Sequence, residues 1–283
     1  MNTDFQCERR LRELNNGYHE LVRNTAFVMT HLLDKYTAHF PEYTDHSSLH
    51  AMQVIDFCNR LIASQIDKLN ADELYVLLMS CYLHDTGMGI SDKDYEALRS
   101  RVVSAEYTAS HPNVDVKEII RNFHHEFSGA FIRKYASFFD IPSEQHLEAI
   151  ILVSRGHRKT DLYDPNEYPD NFTVPNGNVI HLPYLASLIR LADEMDIASD
   201  RNVFFEYSKH ENNLEWRKHE AIKHMEITED AFVLTVETDD PQVLAIVESS
   251  AEKLQETLDL CRDVTERRTG FHITQSQVRL TEK

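Results

Sequence analysis

"NADELYVLLMSCYLHDTG" (70–87) is the stretch that decides how this chain folds. Asn70 or Asp72 can start a helix here, and Gly87 can stop it. Between them Leu74, Val76, Leu77, Leu78, Met79, Cys81, Tyr82 and Leu83 surround the axis on nearly every side, which is the pattern of a helix buried all round. We therefore expect it at the centre of a helical bundle. The run ends on His84 and Asp85, and a carboxylate in so apolar a setting is costly unless it is paired or bound to a cation. The compensating groups must come from elsewhere in the sequence.

Outward from this helix, apolar residues recur with helical spacing near 8–37, 47–66, 115–138, 143–156 and 181–198. After about residue 200 the texture changes. "NVFFEYS" (202–208), "HMEIT" (224–228) and "FVLTVET" (232–238) read as strands, the last two joined by a short "EDA" turn. A helix follows, opened by Asp240 and Pro241 and closed at Gly270, and "FHITQSQVRLTE" (271–282) alternates as if returning to the sheet. The predicted architecture is mainly α: a helical domain over 1–200 and a small α+β subdomain over 201–283. Residues 88–114 are left unassigned. The stretch 158–180 is rich in Pro, Asn, Asp and Gly and too long for an idle connection, so a lid and a mobile insertion are equally open.

The net charge of −18 argues against a nucleic-acid duplex as partner, because phosphate repulsion would have to be overcome locally. A small phosphorylated ligand held in a cleft by metal and arginine remains compatible with it. There are 16 histidines but only 7 glycines, and no glycine-rich phosphate loop of the usual nucleotide folds. Cys7, Cys58, Cys81 and Cys261 are scattered, which fits neither a disulfide framework nor a thiolate metal site and suggests the reducing cytoplasm. The first 20 residues lack the apolar core of a secretory signal and no later run is long enough to span a membrane, so a soluble chain is expected.

Several predicted helices each place a metal-capable side chain on their apolar face. His50 shares a stripe with Val54, Phe57 and Leu61; His124 follows Ile120 by four and precedes Phe127 by three; His157 follows Val153 by four and Ile150 by seven; Asp193 follows Ile189 by four and Leu185 by eight. His125 falls instead with Arg121 and Ile132. A single inward histidine is ordinarily a hydrogen-bonded core residue, but Asp is rarely buried without a partner. Taken with His84 and Asp85, the set is hard to explain as packing, and a divalent cation would compensate all its members together. Imidazole plus carboxylate without thiolate suits Mn, Fe, Ni, Co or Zn, with Mg at a carboxylate-and-water site. Two ions can be arranged: His50, His84, Asp85 and Asp193 around one, and His124 and His157 joining Asp85 around the other.

The ordered set His50, His84-Asp85, Asp193 resembles the H…HD…D signature of the HD-domain metal-dependent phosphohydrolases, over roughly residues 30 to 200. "LHDTGMG" (83–89) looks like that family's HD segment, and "LIRLADEMDIASDR" (188–201) is similar to the "LLRLADxxD" helix that carries its last aspartate. His124 and His157 resemble the extra histidines of two-metal members. The resemblance implies a bundle of the HD type, one or two divalent ions, and hydrolysis of a phosphoester by metal-activated water. By analogy Asp85 orients or deprotonates that water. "HSSLHA" (46–51) looks like the "HNxxHA" segment of HD-type cyclic nucleotide phosphodiesterases, whose first histidine is the proton donor; that role for His46, and a residue that merely caps the helix or faces water, are equally open.

Substrate phosphate would need cations beyond the metal. Arg155 and Arg158, flanking His157, are the favoured contacts, ahead of Arg121, Lys159 and Arg190. Asp196 and Asp200 are read as solvated helix-end acids rather than partners of the ligands. The expected substrate is a nucleotide or another small phosphoester, with nucleic acid disfavoured and no membrane partner. The competing reading is an HD-like sensor or protein-interaction module with a structural metal. For the C-terminal subdomain, covering the cleft, homo-oligomer formation and binding a regulator are equally open.

Overall fold

The computed structural model describes residues 5–33, 48–198 and 213–282. It is mainly helical, with a small sheet near the C-terminus. The helices are α1 (Gln6–Leu14), α2 (Asn16–Leu33), α3 (Ser48–Ile62), α4 (Ala71–Leu83), α5 (Asp92–Val102), α6 (Ala105–Ser110), α7 (Val116–Lys134), α8 (Glu144–Arg155), α9 (Leu182–Met195), α10 (Leu214–Ala221) and α11 (Pro241–Arg268). Two short strands, β1 (Phe172–Thr173) and β2 (Val179–Ile180), form a hairpin, and β3 (Ile222–Ile227), β4 (Ala231–Val236) and β5 (Gln277–Glu282) form the sheet. Among the described residues, no helix is long and apolar enough to cross a membrane.

α4 is the hub. Asn70 caps it through a reciprocal box with Glu73, which satisfies two backbone donors at the entry. Leu74, Tyr75, Val76, Leu77, Leu78, Met79, Cys81 and Leu83 are all buried, packed against α1, α2, α3, α8 and α9. Each fully buried Leu, Val or Met contributes about 1.5–3 kcal/mol relative to exposure. The apolar cluster around α4 continues through α9 into the inner face of α11 and the sheet, where Leu254, Leu258, Phe232 and Leu234 are completely buried.

Residues left unassigned by periodicity fold as α5 and α6. They form a smaller apolar cluster in which Met88, Ile90, Tyr95 and Leu98 pack against Ile119, Ile120 and Phe127 of α7. In the sheet, β4 lies between antiparallel β3 and parallel β5, with Met225 opposite Leu234 and Leu234 opposite Leu280. The long α11 supplies the crossover that a parallel pair needs. The strand expected at 202–208 lies outside the described residues.

The stretch 158–180 is fastened to the body of the protein. Tyr168 is fully buried and its hydroxyl donates to the Leu152 carbonyl. Arg268 of α11 donates to the Leu162 and Tyr168 carbonyls and pairs with Asp170. The β1–β2 turn uses Gly177 at φ +88°, where a side chain would be strained. The flanking Asn176 and Asn178 donate to the buried Asp72 carboxylate at 3.0 and 2.7 Å. The loop-forming composition therefore builds a strap, tied down by polar groups, rather than a lid or a free insertion.

Asp72 also accepts from Tyr18 at 3.0 Å and lies 2.7 Å from His146 Nε2, so one carboxylate joins α2, α4, α8 and the hairpin. Burial alone would raise this carboxyl, but the contacts to His146, Asn178, Asn176 and Tyr18 outweigh it and hold the group well below the ordinary carboxylate range. A depressed folded-state pKa gives stability that is fully present above the unfolded value, about pH 4, and lost as the pH falls through the folded one. Asp72→Asn is expected to lower unfolding free energy at neutral pH by about 2–4 kcal/mol. It should also flatten the loss of stability below about pH 4. Urea unfolding of both proteins across an acid series measures each effect.

Candidate metal centre

Four histidines and two aspartates from different parts of the bundle meet behind the end of α4. His50 comes from the first turn of α3, His84 and Asp85 from the end of α4, His124 from α7, His157 from just past α8, and Asp193 from the last turn of α9. His50, His84, Asp85, His124 and His157 are buried, and the Asp193 side chain is largely so. The apolar stripes that carry these residues turn them inward, because each stripe has to face the common core.

Local hydrogen bonds fix the direction of each ring. Nδ1 of His84, His124 and His157 lies 3.0, 2.7 and 2.5 Å from the carbonyl three residues earlier, on Cys81, Arg121 and Ser154. A carbonyl only accepts, so each Nδ1 carries a proton, and in the neutral ring each Nε2 presents a lone pair to the centre. In His50 the same office is performed by Asp196, whose Oδ2 is 2.5 Å from Nδ1.

The lone pairs then face one another. His50 Nε2 lies 3.1 Å from His84 Nε2, and His124 Nε2 lies 3.0 Å from His157 Nε2. Two acceptors at that distance repel unless a proton or cation lies between them. Asp85 divides its carboxylate between the two pairs: Oδ2 is 3.5 and 3.6 Å from His50 and His84, and Oδ1 is 3.6 and 3.5 Å from His124 and His157. Asp193 Oδ1 closes the first group at 3.3 Å from His50 and 3.8 Å from His84. Burial opposes ionisation of Asp193, but its contacts with the His50 and His84 rings outweigh that and keep this acid well below its ordinary range. Burial, reinforced by His84, drives His157 well below the ordinary imidazole range, so it stays neutral.

Buried carboxylates carry negative charge, and the inward imidazole nitrogens beside them suit a cation of matching positive charge. A divalent ion supplies that charge, and His50, His84 and Asp85, or Asp85, His124 and His157, bring their ligand atoms close enough to hold one. The donor set fits: nitrogens about 3 Å apart can both lie about 2.1 Å from a common ion.

Residues 40–268 match the HD-CE family. The chain belongs to that family. No curated protein matches the sequence significantly. The HD-CE match spans every residue of the cluster.

Several sequence expectations change. Asp196, read as a solvated helix-end acid, is 2% exposed and grips His50. Its signal was present in the sequence, one helical turn beyond Asp193. His125, assigned to the other stripe, is as buried as His124; burial first, then the charges of His124, Arg155, Arg158 and Lys159, push its pKa down to about 3. Arg155 is engaged by Glu126 at 2.6 Å and Glu167 at 2.8 Å. Arg190 clasps the Gly156 and Thr160 carbonyls at 2.7 and 2.8 Å, which braces the turn behind His157 and removes it from the phosphate candidates. Arg158 is partly exposed and has no side-chain partner among the described residues. His46 and Asp200 lie outside the described residues.

Gly87 is what lets the Asp85 turn seat on α7. Its nitrogen donates to Ser128 Oγ at 2.8 Å, and a Cβ at this position would overlap the His124 carbonyl and come within 2.8 Å of the Ser128 nitrogen. Gly87→Ala is expected to cost about 1–3 kcal/mol through overpacking. Because the clash is with backbone, the substitution should also separate Asp85 from His124. Chemical denaturation reads the first effect, and a crystal structure of the variant the second.

Proposed function

We propose that this HD-CE protein is a divalent-metal-dependent phosphohydrolase acting on a small phosphoester, with nucleotides as the preferred class. The observation that carries the reading is the division of the Asp85 carboxylate between two pairs of inward imidazole lone pairs. In this reading His50, His84, Asp85 and Asp193 hold one ion, and Asp85, His124 and His157 hold a second. When bound, a divalent ion supplies a Lewis acid that draws charge from a phosphoryl oxygen and acidifies a nearby water.

The chain's own residues do the rest. Asp85 sits at a backbone conformation of φ −102°, ψ 10°, in the sparsely allowed bridge region, and the following turn is held by Thr86 Oγ1 on the Leu83 carbonyl and Gly87 on Ser128. Its carboxylate is thus rigidly presented, which suits orienting an attacking water or taking its proton. Asp196 keeps the His50 lone pair aimed inward. Arg158, one residue beyond His157, offers an uncommitted guanidinium for substrate phosphate. The proton donor to the leaving oxygen is assigned to His46, on the resemblance of "HSSLHA" alone.

The test is hydrolysis of generic phosphomonoesters and phosphodiesters, then nucleotides, with added Mn, before and after chelation. Turnover should vanish on chelation, return with metal, and fall by at least about 10³-fold in Asp85→Ala. Metal binding with no turnover under any divalent ion would sink the hydrolase in favour of a module with a structural metal. Asp196→Ala is expected to weaken metal binding by about 10–100-fold while leaving the fold intact. Competition against a chromophoric chelator measures that change.

A further inference from the structure

The faces of α7 and α8 that point away from the histidine cluster line, together with α5, an open cavity of about 660 Å³. This is within the range of small-molecule sites, roughly 300–1,000 Å³. Glu126 follows His124 by two residues and Arg155 precedes His157 by two, and two residues are more than half a turn, so this cavity and the cluster occupy opposite sides of the same helix pair.

Arg101, Arg133, Lys134 and Arg155 line it, against two carboxylates, Glu126 and Glu148. Both carboxylates are already matched: Glu126 by Arg155 at 2.6 Å, and Glu148 by Arg133, which also reaches Glu144 at 2.8 Å. Lys134 is held at 2.5 Å by Asp94, which does not line the cavity. Arg101 has no ion-pair partner among the described residues. Arg155 is also paired with Glu167 at 2.8 Å, so among the lining cations Arg101 carries the charge left unmatched. Its floor is apolar, formed by Leu98, Val102 and Ile151. Gly129 keeps the floor open, since a Cβ there would come within 3.1 Å of both Arg155 Cδ and Ile151 Cγ2.

We infer that this cavity is a second ligand site, distinct from the histidine cluster, for a small phosphorylated molecule with an apolar or planar body. The body rests on the apolar floor. The phosphate sits at the cationic rim, where Arg101 supplies the unmatched charge and planar guanidinium geometry favours paired hydrogen bonds.

The test is calorimetric titration of the full chain with ATP and, separately, with pyrophosphate, without divalent ions. Saturable ATP binding is expected, with pyrophosphate weaker. Arg101→Ala should weaken ATP binding by about tenfold. Ala97→Trp, which plugs the exposed side of the cavity from α5, should abolish it. Asp85→Ala should leave ATP affinity unchanged, and Arg101→Ala should leave metal-dependent hydrolysis unchanged, so failure of this site and failure of the hydrolase are distinguishable. Absence of saturable binding overturns the proposal, as does binding that survives both cavity variants or is lost in Asp85→Ala. Pyrophosphate binding as tightly as ATP would overturn the role given to the apolar floor.

Discussion

Negative charge placed inside an apolar bundle is the constraint on which the centre of this protein depends. Asp85 ends the most deeply buried helix and meets four imidazoles whose lone pairs all face inward. Each ring could have been turned to satisfy itself by a simple hydrogen bond. Instead Nδ1 is committed to a carbonyl or to Asp196, and Nε2 is left as an acceptor facing other acceptors. Such an arrangement is unfavourable by itself and favourable around a cation, which is why the HD-CE membership and the geometry lead to the same conclusion.

The scaffold isolates that cost from the rest of the fold. α4 carries charged groups at both ends and, apart from Ser80, which donates to the Ile150 carbonyl, apolar contacts between. At its start, Asp72 and Glu73 are fully matched: Asp72 by Tyr18, His146, Asn176 and Asn178, and Glu73 by Asn70 and by His181 at 2.7 Å. At its end, Asp85 and Asp193 meet imidazole nitrogens gathered as the ligands of a cation would be. The first network locks a carboxylate among side-chain donors, and the second gathers metal-capable atoms around one carboxylate.

The same distinction explains which side chains were legible in advance. His50, His124, His157 and Asp193 sit on apolar stripes, and a stripe has to face the core whatever its neighbours are, so their inward direction could be read from spacing. Asp196 and His125 escaped because each lies at the margin of its stripe, where burial depends on what another helix places opposite. Arg155 and Arg190 escaped for a related reason. A guanidinium near a candidate site looks available until its acceptors are known, and those acceptors, Glu126, Glu167 and the carbonyls of Gly156 and Thr160, are set by tertiary packing. Residues 158–180 carry the composition of a loop, which is what they are locally. Their anchoring rests on contacts from a few distant residues such as Asp72 and Arg268.

Periodicity and capping by themselves determined the helical class, the central position of residues 71–83, the β–β–α–β order over residues 222–282, and the inward set of histidines and acids. These follow from short-range rules, because 3.6-residue spacing and terminal hydrogen-bonding groups act within a few positions of one another. Only the tertiary structure decided that Asp85 faces two histidine pairs at once, that Asp196 rather than solvent holds His50, and that a cationic cavity lies behind α7 and α8. Those are matters of distance between segments far apart in the chain, and no local pattern encodes a separation of 3 Å between side chains 33 or more residues apart.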